Sequence, residues 1–430
     1  MSEALCSNPA DAISARTCWL AIAARHAVLR LATRLHDGEI CLVERGEIRH
    51  FAGCSNTLDL RATITVHDPR FYLRVLTGGS IGAGEAYMQG WWSCDDVATL
   101  VRVLARNAQL YTALDSGWAR LAVPFHKALH WLRANTRRGS RENIAAHYDL
   151  GNDFFSLFLD RTMAYSAAIF AEQDTPLAEA SEAKFDRICR KLELQPSDHL
   201  LEIGTGWGGF AIHAAKHHGC TVTTTTISAE QHAEAVARVA AAGLQDRVRV
   251  LLQDYRDLSG HFDKLVSIEM IEAVGWEYIP GYFQKCASLL KPEGRMVLQG
   301  ITAPDQGYDV NKKTPDFINR YIFPGGCLPS VVSMVDAIAA KSDFRLMHFE
   351  DFAPHYALTL LRWREAFRTQ LSAVRAQGFD ERFTRMWDFY LSLCAGAFAE
   401  RRIGAVQLVL AKPHCRPGAM NLPPMADVRI

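Results

Sequence analysis

Between residues 199 and 302 short apolar runs alternate with helical patterns, and few folds accept that order. "HLLEIG" reads as a strand, "WGGFAIHAAKHHG" as a helix, "CTVTTTTIS" as a second strand and "AEQHAEAVARVAAAG" as the next helix. "VRVLLQD" and "FDKLVSIEM" are a third and fourth strand, and the helix "GYFQKCASLL" leads through a turn into the fifth, "KPEGRMVLQGI". Strands joined through helices pair in parallel, with helices covering both faces of the sheet. The expectation is therefore an α/β fold built on a mostly parallel sheet. Such sheets bind ligands outside the carboxyl ends of their strands, where the strand order reverses.

The first of these strands ends in a glycine turn, "LLEIGTGWGGF", residues 200–210. Gly204, Gly206 and Gly209 fit the pattern G-x-G-x-x-G, with Thr205 between the first pair. A dinucleotide site would place an acid about twenty residues on, at the end of the second strand, to hold the ribose hydroxyls. That strand ends instead at Thr226. The turn also lacks the lysine and Ser/Thr of a phosphate-binding loop. Glu202, two places before the first glycine, stands where a positively charged amino-acid group would lie. With the later "LLKPEGRMVL", these features select S-adenosylmethionine over NAD. The bland alternative is a glycine turn that serves only tight strand–helix packing.

At 430 residues the chain is too long for one core and fits two domains. The organisation changes near residue 140. Residues 1–132 form a smaller mixed α+β region, with strand-like "GEIRHFAG" and "LRATITVHD" and the glycine-rich "GGSIGAGEAYMQGWW". The segment 133–143, with Arg133, Arg137, Arg138 and Arg141, reads as a basic linker, and 144–430 as the catalytic domain. Forty-seven basic residues balance forty-seven acidic ones, so no net field argues for nucleic acid as a partner. Eleven cysteines are scattered without any C-x-x-C, which argues against a zinc site and fits reduced thiols in the cytoplasm. The apolar run near the start is broken by Arg25 and His26, unlike a signal peptide, and no stretch is long enough to span a bilayer. Any membrane contact would be peripheral. The helix of residues 18–35, carrying Arg25, Arg30 and Arg34, is one candidate, and Trp91 and Trp92 are either core anchors or lipid-facing rings.

Several segments together carry a resemblance: "AHYDLGNDFFSLFLD" (146–160), "MAYSAAIF" (163–170), "LLEIGTGWGGFAIHAA" (200–215), "TISAEQ" (226–231), "LLQDYRDL" (251–258), "EMIEAVG" (269–275) and "YIFPGGCLPS" (321–330). In this order they resemble the cyclopropane fatty acid synthases and their mycolic acid relatives. The segment 78–92 is similar to the N-terminal domain of the bacterial phospholipid-modifying members. The resemblance implies a class I S-adenosylmethionine methyltransferase fold, Rossmann-like, acting on the cis double bond of an unsaturated phospholipid acyl chain. It further implies a homodimer and a peripheral contact with the inner face of the membrane. The cofactor would meet Tyr165 and Ser166, then Gly204, Thr205 and Gly206. Thr226 and Gln231 would replace the missing ribose acid, with Asp254 and Tyr255 near the adenine.

Methyl transfer to an alkene leaves a carbocation, and closing a cyclopropane requires removal of a proton from the added methyl. The resemblance implies bound bicarbonate as the base, caged by Glu272, Tyr356 and the amide of Ile301. Gln299 stands where a histidine is expected and Ala167 where a cysteine is expected. A glutamate beside an anion requires that Glu272 be protonated or that it bind the bicarbonate's own hydrogen. Loss of the cysteine opens an alternative outcome, a methyl- or methylene-branched chain. More distant readings are a small-molecule N-methyltransferase and a non-catalytic lipid-binding paralogue.

Overall fold

The computed structural model describes residues 9–54, 60–107, 109, 150–416, 418 and 420–430. The basic segment 133–143 and residues 146–149 of the first shared motif lie outside the described residues. The chain divides into two compact units, Met1–His126 with Phe379–Gly396, and Lys127–Gly378 with Ala397–Ile430.

In the first unit, α1 (Pro9–Ala32) precedes β1 (Glu39–Glu44), β2 (Glu47–Ala52) and β3 (Arg61–Val66); α2 (Arg70–Met88), β4 (Trp92–Cys94) and α3 (Val97–Arg106) follow. The sheet order is β2-β1-β3-β4, with β1 parallel to β3 and the other pairs antiparallel. The glycine-rich segment is helical as far as Met88. Only Gly79 breaks it, at φ 54° and ψ −137°, a conformation that glycine adopts without a Cβ clash. Trp92 is a core anchor: its indole N–H donates to the Ala83 carbonyl at 2.9 Å, and its ring meets Phe71, Tyr87 and Phe389. Arg25, one of the three arginines of the candidate membrane-contact helix, pairs with Glu44 at 2.7 Å. Segment 379–396, placed with the catalytic domain by sequence, packs here instead. Tyr87 donates to Asp388 at 3.0 Å, and Arg385 donates to the Trp92 carbonyl at 2.8 Å.

The second unit carries the expected alternation. Its elements are α4 (Leu177–Leu192), β5 (His199–Ile203), α5 (Gly209–His218), β6 (Thr221–Thr226), α6 (Ala229–Ala241), β7 (Val248–Leu252), β8 (Phe262–Ile268), α7 (Ile279–Ser288) and β9 (Leu290–Thr302). After them come α8 (Val331–Lys341), β10 (Arg345–Asp351), α9 (Ala353–Thr369) and, beyond the segment that belongs to the first unit, β11 (Gly404–Ala411). The seven-stranded order is β10-β11-β9-β8-β5-β6-β7, parallel except where β11 meets β9 and β10. Strand order reverses between β5 and β8, so the crevice for a ligand opens at their carboxyl ends. Leu201, Leu265, Met296 and Leu408 bury one face against α7 and α8, and Leu200, Val266, Val297 and Val409 bury the other against α4 and α5. Among the described residues no helix is long and apolar enough to cross a membrane.

Candidate active site

The glycine turn leaves β5 through three positive φ angles, 102° at Gly204, 52° at Gly206 and 83° at Gly208. The Gly204 and Thr205 amides donate to the Thr225 carbonyl at 3.1 and 3.0 Å, fixing the turn to the end of β6. A Cβ on Gly209 would lie 2.4 Å from the Thr162 carbonyl oxygen. The third glycine therefore permits close packing of the turn against the segment that leads to Tyr165.

Glu202 is buried at the end of β5, with the Thr224 hydroxyl donating to it at 2.6 Å. Burial pushes its carboxyl up to about 8. An ammonium or sulfonium brought to this buried acid would find a group able to ionise against it. Thr226 and Gln231 are joined directly, hydroxyl to side-chain carbonyl at 2.9 Å. Asp254 is buried, and Arg256, which sequence reasoning passed over, holds it with contacts of 2.9 and 2.7 Å. Tyr255 packs edge-on to Tyr282. The Ser166 hydroxyl accepts from Lys184, a fully buried lysine on α4, at 2.7 Å. Burial pulls Lys184 down to about 8, while Glu269, Asp160 and Glu202 act in the opposite direction. Tyr165 sits among aromatic rings, with Phe155 and Trp363 both at 5.2 Å.

The expected cage assembles around a residue that sequence reasoning did not select. Glu269 follows the end of β8 in a left-handed conformation, φ 49°. Its Oε1 accepts from the Ala167 amide at 2.9 Å and from Gln299 Nε2 at 2.8 Å; its Oε2 accepts from the Tyr356 hydroxyl at 2.7 Å. Three of the groups expected around bicarbonate thus already hold a carboxylate of the chain. The signal was present, since Glu269 opens the "EMIEAVG" motif at a strand end. Glu272 lies beside it, accepting through Oε1 from the Ile301 amide. Its buried Oε2 has no partner among the described residues. Burial, and then the neighbouring Glu269 charge, push Glu272 up to about 8. Burial also raises Glu269, but the Tyr356, Gln299 and Ala167 donors work against that shift. Three donors thus favour the charged form of Glu269, whereas Glu272 has one, the Ile301 amide.

Further polar groups orient this cage. Gln299 Oε1 accepts from Gln407 Nε2 at 2.8 Å, and Gln407 Oε1 accepts from Lys191 at 2.7 Å. Lys191 also contacts Glu350 at 2.6 Å, and Arg187 Nε donates to Glu350 at 2.8 Å. An ammonium can only donate, so it fixes the Gln407 amide, which in turn aims Gln299 Nε2 at Glu269. On the other side α9 pins the strap carrying Ala167. The Ala168 amide donates to Thr359 and the Phe170 amide to His355, both at 3.1 Å. Near the C-terminal end of α5 the described residues also gather Cys189, His213 and His218, with ligand atoms within 4.8 Å of one another, a grouping that cysteine spacing alone did not anticipate.

The sequence pattern of the family described as Mycolic acid cyclopropane synthetase matches residues 135–408. The tuberculostearic acid methyltransferase of Mycobacterium tuberculosis is 40% identical over 346 residues, covering 79% of this chain and 80% of that protein. The cyclopropane-fatty-acyl-phospholipid synthase of Escherichia coli K12 is 38% identical over 373 residues, covering 85% and 92%. A solved mycolic acid cyclopropane synthase, complexed with SAH and CTAB, superposes with a TM-score of 0.59 at 33% identity, covering 63% of this chain and 98% of that one. The chain belongs to the mycolic acid cyclopropane synthetase family and is an S-adenosylmethionine-dependent methyltransferase.

Proposed function

We propose that the protein transfers a methyl carbon from S-adenosylmethionine to the cis double bond of an unsaturated phospholipid acyl chain and closes it into a cyclopropane. The observation that carries this reading is the convergence of the Ala167 amide, Gln299 and Tyr356 on one carboxylate, with Tyr356 edge-on to Trp363 and Trp363 against the ring of Tyr165. That arrangement combines an apolar aromatic wall with a buried carboxylate held by three donors, which suits a reaction that makes a cation in a hydrocarbon chain.

S-adenosylmethionine supplies an electrophilic methyl on a positive sulfur. In this reading the glycine turn, Tyr165, Ser166 and Glu202 hold its amino-acid end, while Thr226, Gln231, Asp254 and Tyr255 hold the nucleoside. An alkene is a weak nucleophile, so alignment and exclusion of water must provide much of the rate. Phe155, Phe158, Trp363 and Phe323 surround Tyr165 and serve that exclusion. Their π faces, with the Glu269 charge, favour the cation as it forms. Donors expected around a base positioned against the new methyl remain in place, so proton loss from that methyl closes the ring.

A second reading, a methyl- or methylene-branched product, is supported by Ala167, which stands where the resemblance implies a cysteine of the base's cage, so that the cation can lose a different proton. Contact with a membrane is supported by the exposed Trp19, Leu20 and Ile22 on α1, at 69%, 47% and 49% exposure. The test is to incubate the protein with methyl-labelled S-adenosylmethionine and vesicles of cis-unsaturated phospholipid. The released fatty acids are then examined by mass spectrometry and proton NMR. Shielded ring protons are the expected result. Labelled lipid without them would establish the branched product, and unlabelled lipid would overturn the function.

A further inference from the structure

We infer that Glu269 is the general base of this reaction and that its carboxylate fills the seat of the bicarbonate expected from the family resemblance, so that the chain carries its own anion. The inference rests on the proposed lipid methylation for its catalytic half, and on geometry alone for its anion-site half.

A carboxylate and bicarbonate both present a planar O–C–O edge to the same kind of donor. The Ala167 amide, Gln299 Nε2 and Tyr356 hydroxyl come from three separate elements, yet all end on Glu269 at 2.7–2.9 Å. Two anions cannot share those donors. A carboxylate offers about four lone pairs; three are engaged here and the remaining one is on Oε2. That lone pair is the proton acceptor. The backbone is also committed to this placement. Glu269 is held at φ 49°, and its amide donates to the Gln299 carbonyl at 2.8 Å. A left-handed glutamate is strained where a glycine is not, and such strain concentrates at functional sites. Glu272 accepts from the Ile301 amide and from no other described group, so the donors that hold a charge in place are gathered on Glu269.

The electrons and atoms balance without a further reactant. The π pair of the alkene forms the bond to the methyl carbon, and the S–C pair stays on sulfur as a neutral thioether. A C–H pair of the new methyl then closes the ring, and the proton passes to Glu269 Oε2. That proton leaves to solvent when the product departs. A purely structural Glu269, tying the strap at Ala167 to β9, would satisfy the same hydrogen bonds, but would give no answer to added bicarbonate.

The test uses wild type, Glu269→Gly and Glu269→Gln in buffer freed of carbon dioxide, with and without millimolar bicarbonate. Calorimetric binding of S-adenosylhomocysteine confirms that each variant keeps its cofactor site. Wild type should show no change on adding bicarbonate. Both variants should lose about 10²–10⁴-fold in rate, the usual contribution of a general base. Only Glu269→Gly, which empties the seat and suits the left-handed backbone, should be rescued by bicarbonate. Line broadening of ¹³C-bicarbonate gives a readout independent of turnover: saturable for Glu269→Gly, absent for wild type. A wild type that requires or saturably binds bicarbonate would overturn the inference, as would a Glu269→Gly variant fully active without it. If wild type methylates no lipid, the proposed function fails, while the binding comparison still decides who occupies the anion seat.

Discussion

Tyr356→Phe removes one oxygen from the centre of the cage and little else. The ring is buried, stacked on Phe398 with centroids 4.4 Å apart and edge-on to Trp363 at 6.2 Å, and phenylalanine keeps both contacts. What disappears is the 2.7 Å hydrogen bond to Glu269 Oε2. A hydrogen bond to a charged group contributes about 1.5–3 kcal/mol, and each pKa unit corresponds to about 1.4 kcal/mol. Because the hydroxyl stabilises the ionised form, its loss must move the Glu269 carboxyl upward, by about 1–2 units on those values. If Glu269 acts ionised, the acidic limb of kcat/KM against pH moves up by the same amount. Activity below the limb falls about ten- to a hundredfold, whereas activity well above it stays near wild type. The assay is methyl transfer to unsaturated vesicles across pH, alongside S-adenosylhomocysteine binding as a check on the fold. An unmoved limb would remove Glu269 from the titration that governs the rate. A uniform fall at every pH would assign Tyr356 to packing or substrate placement instead.

Gln407→Glu keeps an oxygen for Lys191 but gives Gln299 an acceptor where it had a donor, so Gln299 should rotate and turn its own oxygen toward Glu269. The acidic limb should rise by at least about one unit with urea stability little changed; an unmoved limb would mean that amide orientation is not transmitted through this chain of side chains. Glu202→Gln tests the buried acid at the glycine turn. Its carboxyl titrates near 4.5 when unfolded and about 8 when folded, so the folded state binds the extra proton between those values. Its contribution to stability is full below pH 4.5 and is lost as pH rises through about 8. Thermal unfolding followed over that window should show a shallower fall for the variant, with Glu272, raised to about 8 as well, retaining part of the slope. An identical slope would show that Glu202 is ionised in the free protein.

The parts of this molecule that sequence displays are those whose physics is local. Period-two and helical patterning located β5 to β9, and the glycine turn was legible because three positive-φ positions within five residues favour a residue free of a Cβ. The edge strand β10 was not, since its exposed side chains blur the apolar pattern. Segment 379–396 looked like one more helix of the catalytic part, because its partners Tyr87 and Trp92 lie some three hundred residues away. Glu269 was hidden differently: its letter stood in a quoted motif, but only the left-handed backbone turns its carboxylate onto donors from Ala167, Gln299 and Tyr356. Yet a clue was available in "GAVQLVLA". A glutamine in an otherwise apolar strand flanked by strands must find buried partners or cost more than it returns. Gln407 stands directly across from Gln299 in the β11–β9 register. Asking what that glutamine bonds to leads from Lys191 through Gln299 to Glu269, and so to the charge on which the chemistry depends.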